Sequence, residues 1–420
     1  MGTDRVILAE GCVYSTDCEE TQINNNVLVV GGSGSGKTMS ITEPRLLETK
    51  NSSLIVTLSK RRLVKQYRPL FLKRGYTVWD LDFINPVNSN VSYDPLSYVR
   101  NFADIVFLAE SIVMADPKKK ESNADPYWNE ASISLLSAEI AYVLMVKKAP
   151  TFLDVLEVHD HMDIEEGNNG MQTTMDAKFQ QIAEKDPSNF AVSCWRSFSK
   201  LPSRTMRCVF GTLNVMLDTI FTPELRKMIG TKPCVDLSQL SHERTVLFIS
   251  TSAVNPALHC FVNMFYAQAF KQLFEIAEQQ PDAALPIPVH VIAYDFAVGS
   301  RILNFPQYIS IFREKKISVT LLLQSESQLE SMYGATDSVT IINNCDSYVY
   351  LGGMDLKTAK NISERLNAAL EDVLYAPIGE VVLIRRGQKP IVTQRYNILQ
   401  NELYQEMTKK QSKHGKGEER

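Results

Sequence analysis

Eight consecutive residues, Gly31-Gly32-Ser33-Gly34-Ser35-Gly36-Lys37-Thr38, constrain this chain more than anything else in it. They satisfy GxxxxGK(S/T), with Gly31, Gly36, Lys37 and Thr38 at the fixed places. The spacing has a chemical reason. Glycines allow a bend tight enough for successive N–H groups to converge on phosphate oxygens. A following helix brings its positive N-terminal end to the same point. Lys37 is placed to reach β- and γ-phosphates, and Thr38 to give its hydroxyl to Mg²⁺. Such a loop works between a strand and a helix; residues 26–30 are β-like, and residues 39–47 can begin a helix.

The surrounding pattern agrees with an α/β fold. Residues 26–30, 54–58 and 77–81 are apolar at nearly every position, as in strands covered on both faces. Helix-like segments lie between them, so the alternation predicts a parallel sheet. From residue 101 to 207 no convincing strand occurs. Trp128, Leu135, Leu136, Ile140, Val143 and Leu144 recur at helical spacing, and residues 102–114 and 173–184 are also helix-like. Asp116-Pro117-Lys118-Lys119-Lys120 and Gly167-Asn168-Asn169-Gly170 mark loops. Strands resume at 245–251, 289–294, 318–324, 347–351 and 380–384. Leu258, Val262, Phe265, Ala269, Leu273 and Ile276 predict one long amphipathic helix between the first two. The expected organisation is a nucleotide-binding domain in two parts, 1–100 and 208–405, interrupted by an all-α insertion at 101–207. A flexible charged tail at 406–420 is expected to follow.

Composition removes several alternatives. Over 420 residues the net charge is −4, which excludes a small basic protein that coats DNA by bulk charge and leaves a local basic lining open. Lys118-Lys119-Lys120 and Arg196, Lys200, Arg204 and Arg207 are ordinary solvated clusters, unless a ring repeats them around a pore. The seven cysteines are odd in number and form no CxxC, so neither a zinc ribbon nor a disulfide framework is indicated. His159-x-His161 beside Asp160 and Asp163 lacks a ligand signature. The first ten residues lack a signal-peptide pattern, and no apolar run is expected to approach the roughly 18 residues of a membrane span. A cytoplasmic protein with reduced thiols is the expectation.

A phosphate site of this kind also needs a carboxylate at the end of a neighbouring strand to hold Mg²⁺ through water. Often a second one activates the attacking water. The run Val289-His290-Val291-Ile292-Ala293-Tyr294-Asp295-Phe296 fits the strand and offers one acid, Asp295. If Asp295 is the magnesium residue, Phe296 stands where the second acid belongs. If Asp295 activates water, Tyr294 stands in the magnesium seat, and a phenol with a pKa of about 10 is no anionic ligand near pH 7. Hydrolysis is then slow, or another acid such as Asp80 or Asp82 contributes.

Several stretches, in order along the chain, resemble one family. They are Asn24-Asn25-Asn26-Val27-Leu28-Val29-Val30 running into the loop, Tyr93-Asp94-Pro95-Leu96, Asp125-Pro126-Tyr127-Trp128 and Asp295-Phe296-Ala297. Gln324-Ser325-Glu326-Ser327-Gln328-Leu329, with Tyr333-Gly334 beyond it, completes the series. The family is the coupling-protein ATPases of conjugation and type IV secretion, the TraG/TraD type, and more closely its forms from Gram-positive mobile elements. The resemblance implies a RecA-like P-loop NTPase with a mostly parallel sheet and an inserted all-α domain, acting as a homo-oligomeric ring, a hexamer. It implies ATP and Mg²⁺ as cofactors, and single-stranded DNA, a relaxase and secretion-channel proteins as partners. It assigns phosphate binding to Gly36, Lys37 and Thr38. Gln324 matches the residue that senses the γ-phosphate or positions water. Arg313, eleven residues before Gln324, stands where the family has its arginine finger, a role suited to a permanently charged two-pronged donor.

Three departures from the family bear on that expectation. The family's Asp-Pro-Lys-Gly-Glu after the second strand is here Leu58-Ser59-Lys60-Arg61-Arg62, which keeps only Lys60. Tyr294 replaces an Asp. The family's N-terminal membrane helices have no counterpart in this sequence, so only indirect membrane contact, peripheral at the inner face of the cell membrane, is expected. The alternatives are a nucleotide-binding adaptor with little turnover that recruits relaxase or channel proteins and, more weakly, a soluble DNA translocase of the FtsK/HerA kind.

Overall fold

The computed structural model describes residues 3–115, 126–164, 173–252 and 255–414. Asp125 of the resembling stretches, Lys118-Lys119-Lys120, Gly167-Asn168-Asn169-Gly170 and the last six residues lie outside the described residues. Among the described residues, eleven strands form two sheets. β1 (Arg5–Ala9) and β2 (Cys12–Ser15) make an antiparallel hairpin. The remaining nine form one sheet: β3 (Val27–Val30), β4 (Ser53–Leu58), β5 (Thr77–Asp82), β6 (Thr245–Ser250), β7 (Val289–Ala293), β8 (Ile317–Leu323), β9 (Ser347–Tyr350), β10 (Glu380–Arg385) and β11 (Ile391–Gln394). Their order is β11-β10-β9-β3-β8-β7-β4-β6-β5.

Every pair from β9 to β5 is parallel, and the β9–β10 and β10–β11 pairs are antiparallel. The parallel strands are covered on both faces, which is why they are apolar throughout rather than alternating. Leu28, Val30 and Ile55 enter one core layer with the long helix Pro256–Glu278. Val27, Val29, Leu54 and Val56 enter the other, with the helix Arg62–Lys73 and the β1–β2 hairpin. All seven parallel strands end at the same edge of the sheet, and the residues that follow them converge there.

Between β5 and β6 the described residues contain helices and only isolated bridges, so a helical block does interrupt the sheet. The block runs past the expected limit at 207. The helix Ser203–Ile220 crosses that position, and short helices continue to His242. Met206, Val209, Leu213, Met216, Leu217 and Ile220 carry one apolar stripe through it, and all are buried. The tail expected from 406 also begins too early, since the helix Glu402–His414 spans it and Tyr404 is buried in the second core layer. One helix of the block, Tyr127–Val146, is long and apolar enough by length and composition to cross a membrane, and 56% of its apolar window is buried. Its Leu135, Leu136, Ile140 and Val143 are fully buried, and its Glu139 receives a hydrogen bond from His159 at 2.9 Å. That pairing also accounts for His159.

An aromatic cluster fastens the block to the sheet. Phe261, on the long helix, meets Phe83 after β5 and Tyr93 edge-on at 5.1 Å each, and Phe221 of the block at 5.6 Å. All four rings are buried. Phe261→Ala is therefore expected to cost about 3–5 kcal/mol of stability. It should appear as a lower midpoint in urea unfolding at an unchanged m value.

Candidate nucleotide site

The site is built where β3 ends. β3 is a fully buried central strand, and Gly31 continues it by donating its N–H to the Leu323 carbonyl at 3.2 Å. Only glycine fits here: a Cβ on Gly31 would lie 2.5 Å from Ser35 Oγ and 2.9 Å from Leu351 Cβ. Gly36 adopts φ +93°, and its missing Cβ leaves space taken by the Arg395 guanidinium, whose Nη1 lies 2.9 Å from that position. The helix beyond the loop opens with a π turn over Thr38–Thr42, closed by the Glu43 N–H to the Thr38 carbonyl. Such turns are uncommon and recur at functional sites.

Lys37 is 7% exposed and donates to the carbonyls of Gly31 at 2.5 Å and Gly32 at 3.1 Å. Gly32 in turn donates its N–H to the Gly352 carbonyl at 2.9 Å, in the loop after β9. Burial lowers the Lys37 ammonium, and Asp295 opposes that shift. Burial pushes the Asp295 carboxyl above the usual range, while His259 and Lys37 hold it down. His259 is buried on the first turns of the long helix. Burial lowers its pKa against the pull of the Ser252 backbone and Asp295, and among the described residues its Nε2 has no hydrogen-bond partner.

Tyr294 and Asp295 follow β7, two strands from β3, and they do different things. The Thr38 hydroxyl donates to the Tyr294 hydroxyl at 3.2 Å, so the phenol stands next to the group that would meet magnesium. Asp295 has φ +53°, a left-handed conformation uncommon outside glycine, and turns toward Lys37 and His259. Gln324 follows β8, immediately beside β3. Its N–H donates to Gln328 Oε1 at 3.2 Å, and Gln328 Nε2 donates to the Ala297 carbonyl at 3.3 Å. Tyr333 stacks on Phe296 with centroids 5.7 Å apart and an interplanar angle of 5°, and its hydroxyl accepts the Ile302 N–H at 3.1 Å. The stretch after β7 and the stretch after β8 are therefore packed as one unit.

Two expectations about acids and one about Arg313 meet the geometry differently. Asp80 and Asp82 do not join the site. They lie on β5, five strands from β3, about 24 Å at normal strand spacing. Both are paired with Arg61 at 2.8 Å. Arg61 belongs to the altered stretch after β4, so that change and these acids form one ion-pair cluster. Arg313 precedes β8 and lies at the opposite edge of the sheet from Gln324, more than about 20 Å away along a seven-residue strand. It is exposed and donates to the Cys18 carbonyl at 3.2 Å. It cannot reach the phosphate loop of its own subunit.

Sequence reasoning missed His259, Gly352 and Arg395. Arg395 follows β11, an exposed edge strand of sequence Ile391-Val392-Thr393-Gln394 with no run of buried positions to announce it. His259 lies within the amphipathic pattern that was legible, at a position whose chemistry only the neighbouring strand end supplies.

A strand, a phosphate loop and a helix at the C-terminal edge of a largely parallel sheet, with the β7 and β8 ends alongside, define a RecA-like P-loop NTPase fold. The chain belongs to the conjugative DNA-transfer family of the type IV secretory system: the family's sequence profile matches residues 4–369. A search of curated proteins finds no match. Among solved structures, the unbound monoclinic form of the bacterial conjugative coupling protein TrwBdeltaN70 is similar with a TM-score of 0.67 at 14% identity, covering 94% of this chain and 89% of that one. TrwB in complex with ADP and Mg²⁺ gives 0.61 at 15%, covering 88% and 85%. VirB4 of Thermoanaerobacter pseudethanolicus gives 0.57 at 12%, covering 96% and 99%. At these identities the likeness establishes the fold.

Proposed function

We propose that the chain is an ATP-driven coupling motor that moves single-stranded DNA, with its bound relaxase, to a type IV secretion channel. It works as a homo-oligomeric ring at the cytoplasmic side. One observation carries this reading: in a member of the DNA-transfer family, Lys37, Thr38, Asp295 and Gln324 gather at one edge of the sheet. ATP with Mg²⁺ is the matching cofactor, and the TrwB structures with ADP and Mg²⁺ support it. The donors fit the metal: Mg²⁺ prefers oxygen, keeps several waters and needs one or two protein ligands beside the phosphates. Thr38 would supply a direct oxygen and Asp295 one through water, and the metal would neutralise charge on the phosphate tail.

The chain's own groups then have definable tasks. Lys37 exchanges the Gly31 and Gly32 carbonyls for β- and γ-phosphate oxygens. Asp295, its carboxyl raised by burial and held down by His259 and Lys37, accepts the proton of the attacking water. As that water's oxygen bonds to the γ-phosphorus, the bond to the bridging oxygen breaks and ADP leaves with the electron pair. Gln324 orients the water. Arg313 of a neighbouring protomer stabilises the charge. Arg196, Lys200, Arg204 and Arg207 are exposed on the helical block and would give a ring a repeated basic track for a DNA backbone.

A second reading, a nucleotide-binding adaptor with little turnover, is favoured by the Tyr294 hydroxyl beside Thr38. Tyr294→Asp separates the two. The motor reading expects ATPase activity stimulated by single-stranded DNA in the wild type. It expects little change in Tyr294→Asp, since an intact site already uses another acid, whereas an eroded enzyme should gain about 10-fold or more when a carboxylate is restored near the metal. A wild type without turnover under ring-forming conditions, beside an active Tyr294→Asp, would return the adaptor.

A further inference from the structure

The C-terminal hairpin reaches back to the phosphate loop. β10 runs against the direction of the sheet, so β11, antiparallel to it, finishes at the same edge where β3 finishes. Arg395 is the first residue past β11, anchored there by its own N–H to the Gly379 carbonyl at 2.8 Å. From three strands away its side chain crosses to the loop, where Nη1 donates to the Ser35 carbonyl at 3.3 Å and fills the space left by the missing Cβ of Gly36. This is its one hydrogen bond from the guanidinium, and among the described residues no carboxylate pairs with it. A half-buried, permanently charged fork with most of its five donors uncommitted thus stands against a loop whose amides are shaped for an anion.

We propose that Arg395 is a nucleotide-binding residue, a cation delivered by the C-terminal hairpin to the phosphate tail held in the loop of the same subunit. The ligand class is a nucleoside 5′-diphosphate or triphosphate, because the guanidinium sits at the Ser35–Gly36 turn rather than toward Gln324, where the terminal phosphate is read. The residue lies beyond the stretch matched by the family profile, residues 4–369, so this contact belongs to the chain's own C-terminal region. The inference rests on the reading that the loop binds nucleotide. Arg395 therefore differs from Arg313: one serves its own subunit and reports in affinity, the other serves a neighbour and reports in turnover.

The test is titration of the full chain with a fluorescent ATP analogue and with its ADP counterpart, in Mg²⁺ at fixed salt. The variants are Arg395→Ala, Arg395→Gln, Arg395→Lys and Lys37→Ala. Arg395→Ala is expected to weaken both nucleotides by a similar factor, roughly 10- to 100-fold, as for loss of a charge-assisted hydrogen bond. Arg395→Lys is expected to recover part of the loss, and affinity should become less sensitive to salt in Arg395→Ala and Arg395→Gln. Arg395→Gln can still donate to the Ser35 carbonyl, so wild-type affinity in that variant would mean that the side chain only props the loop, and would overturn the inference. Wild-type affinity in Arg395→Ala, with binding lost in Lys37→Ala, would also overturn it while leaving the nucleotide reading intact. If Lys37→Ala also binds as wild type does, the nucleotide reading fails first and this inference with it. Should circular dichroism show Arg395→Ala unfolded, the Lys and Gln variants decide by the same criteria.

Discussion

Lys37→Ala is expected to reduce ATP turnover by at least about 100-fold, the scale of losing a preorganised charge at a transferring phosphoryl group. Nucleotide affinity should fall with it. The reason lies in what the amine does in the folded chain. It is buried, it satisfies two loop carbonyls, and it holds down the carboxyl of Asp295. An alanine leaves both carbonyls without that donor and withdraws a cation that opposes the burial-driven rise of the Asp295 carboxyl, so binding and proton acceptance should weaken together. Phosphate release and isothermal titration calorimetry would measure the two losses, with a circular dichroism spectrum to show that the sheet persists. Retained affinity with retained turnover would remove the loop from the mechanism altogether.

Arg313→Ala is expected to behave in the opposite way. Turnover should drop about 1,000-fold, the lower end of the range for an arginine finger, while affinity for ATP changes little. Arg313 lies a full strand length from the Gln324 end of β8, so any contact with a phosphate must cross a subunit boundary. Mixing supplies the decisive measurement. Lys37→Ala and Arg313→Ala protomers, each inactive alone, should regain partial ATPase activity together, because some interfaces then join an intact loop to an intact arginine. An Arg313→Ala protein with full activity, or a mixture no better than its components, would remove Arg313 from the chemistry.

The parts of the fold that were legible in sequence share one cause. Burial on both faces leaves strands apolar at every position, and β3, β4 and β6 could be placed to within a residue or two on that basis alone. β11 could not, because an exposed edge strand carries no such signature; the cation at its end was hidden for the same reason. The helical block extends past 207 because the apolar stripe from Met206 to Ile220 continues it. At the site, the loop, Asp295 and Gln324 were visible as local patterns. What no linear pattern could supply was the division of labour at the end of β7: Tyr294 stands against Thr38, while Asp295 takes a left-handed backbone and feels the charges of His259 and Lys37. The same holds for Asp80 and Asp82, which are acids of the right kind in a strand of the wrong position.

Gln328 has a consequence of its own. One amide receives the N–H of Gln324 and gives its own hydrogen to the carbonyl of Ala297, two residues beyond Asp295. If Gln324 reads a terminal phosphate and Asp295 handles a water proton, as proposed, the two tasks are yoked like two pans on a single beam. On the reading proposed above, loss of a terminal phosphate would act on Gln324 and, through Gln328, on the Ala297 carbonyl beyond Asp295, next to the stacked rings of Phe296 and Tyr333. In a motor of the proposed kind, that one amide is a hydrogen-bonded link between a spent fuel molecule and the segment that follows the acid.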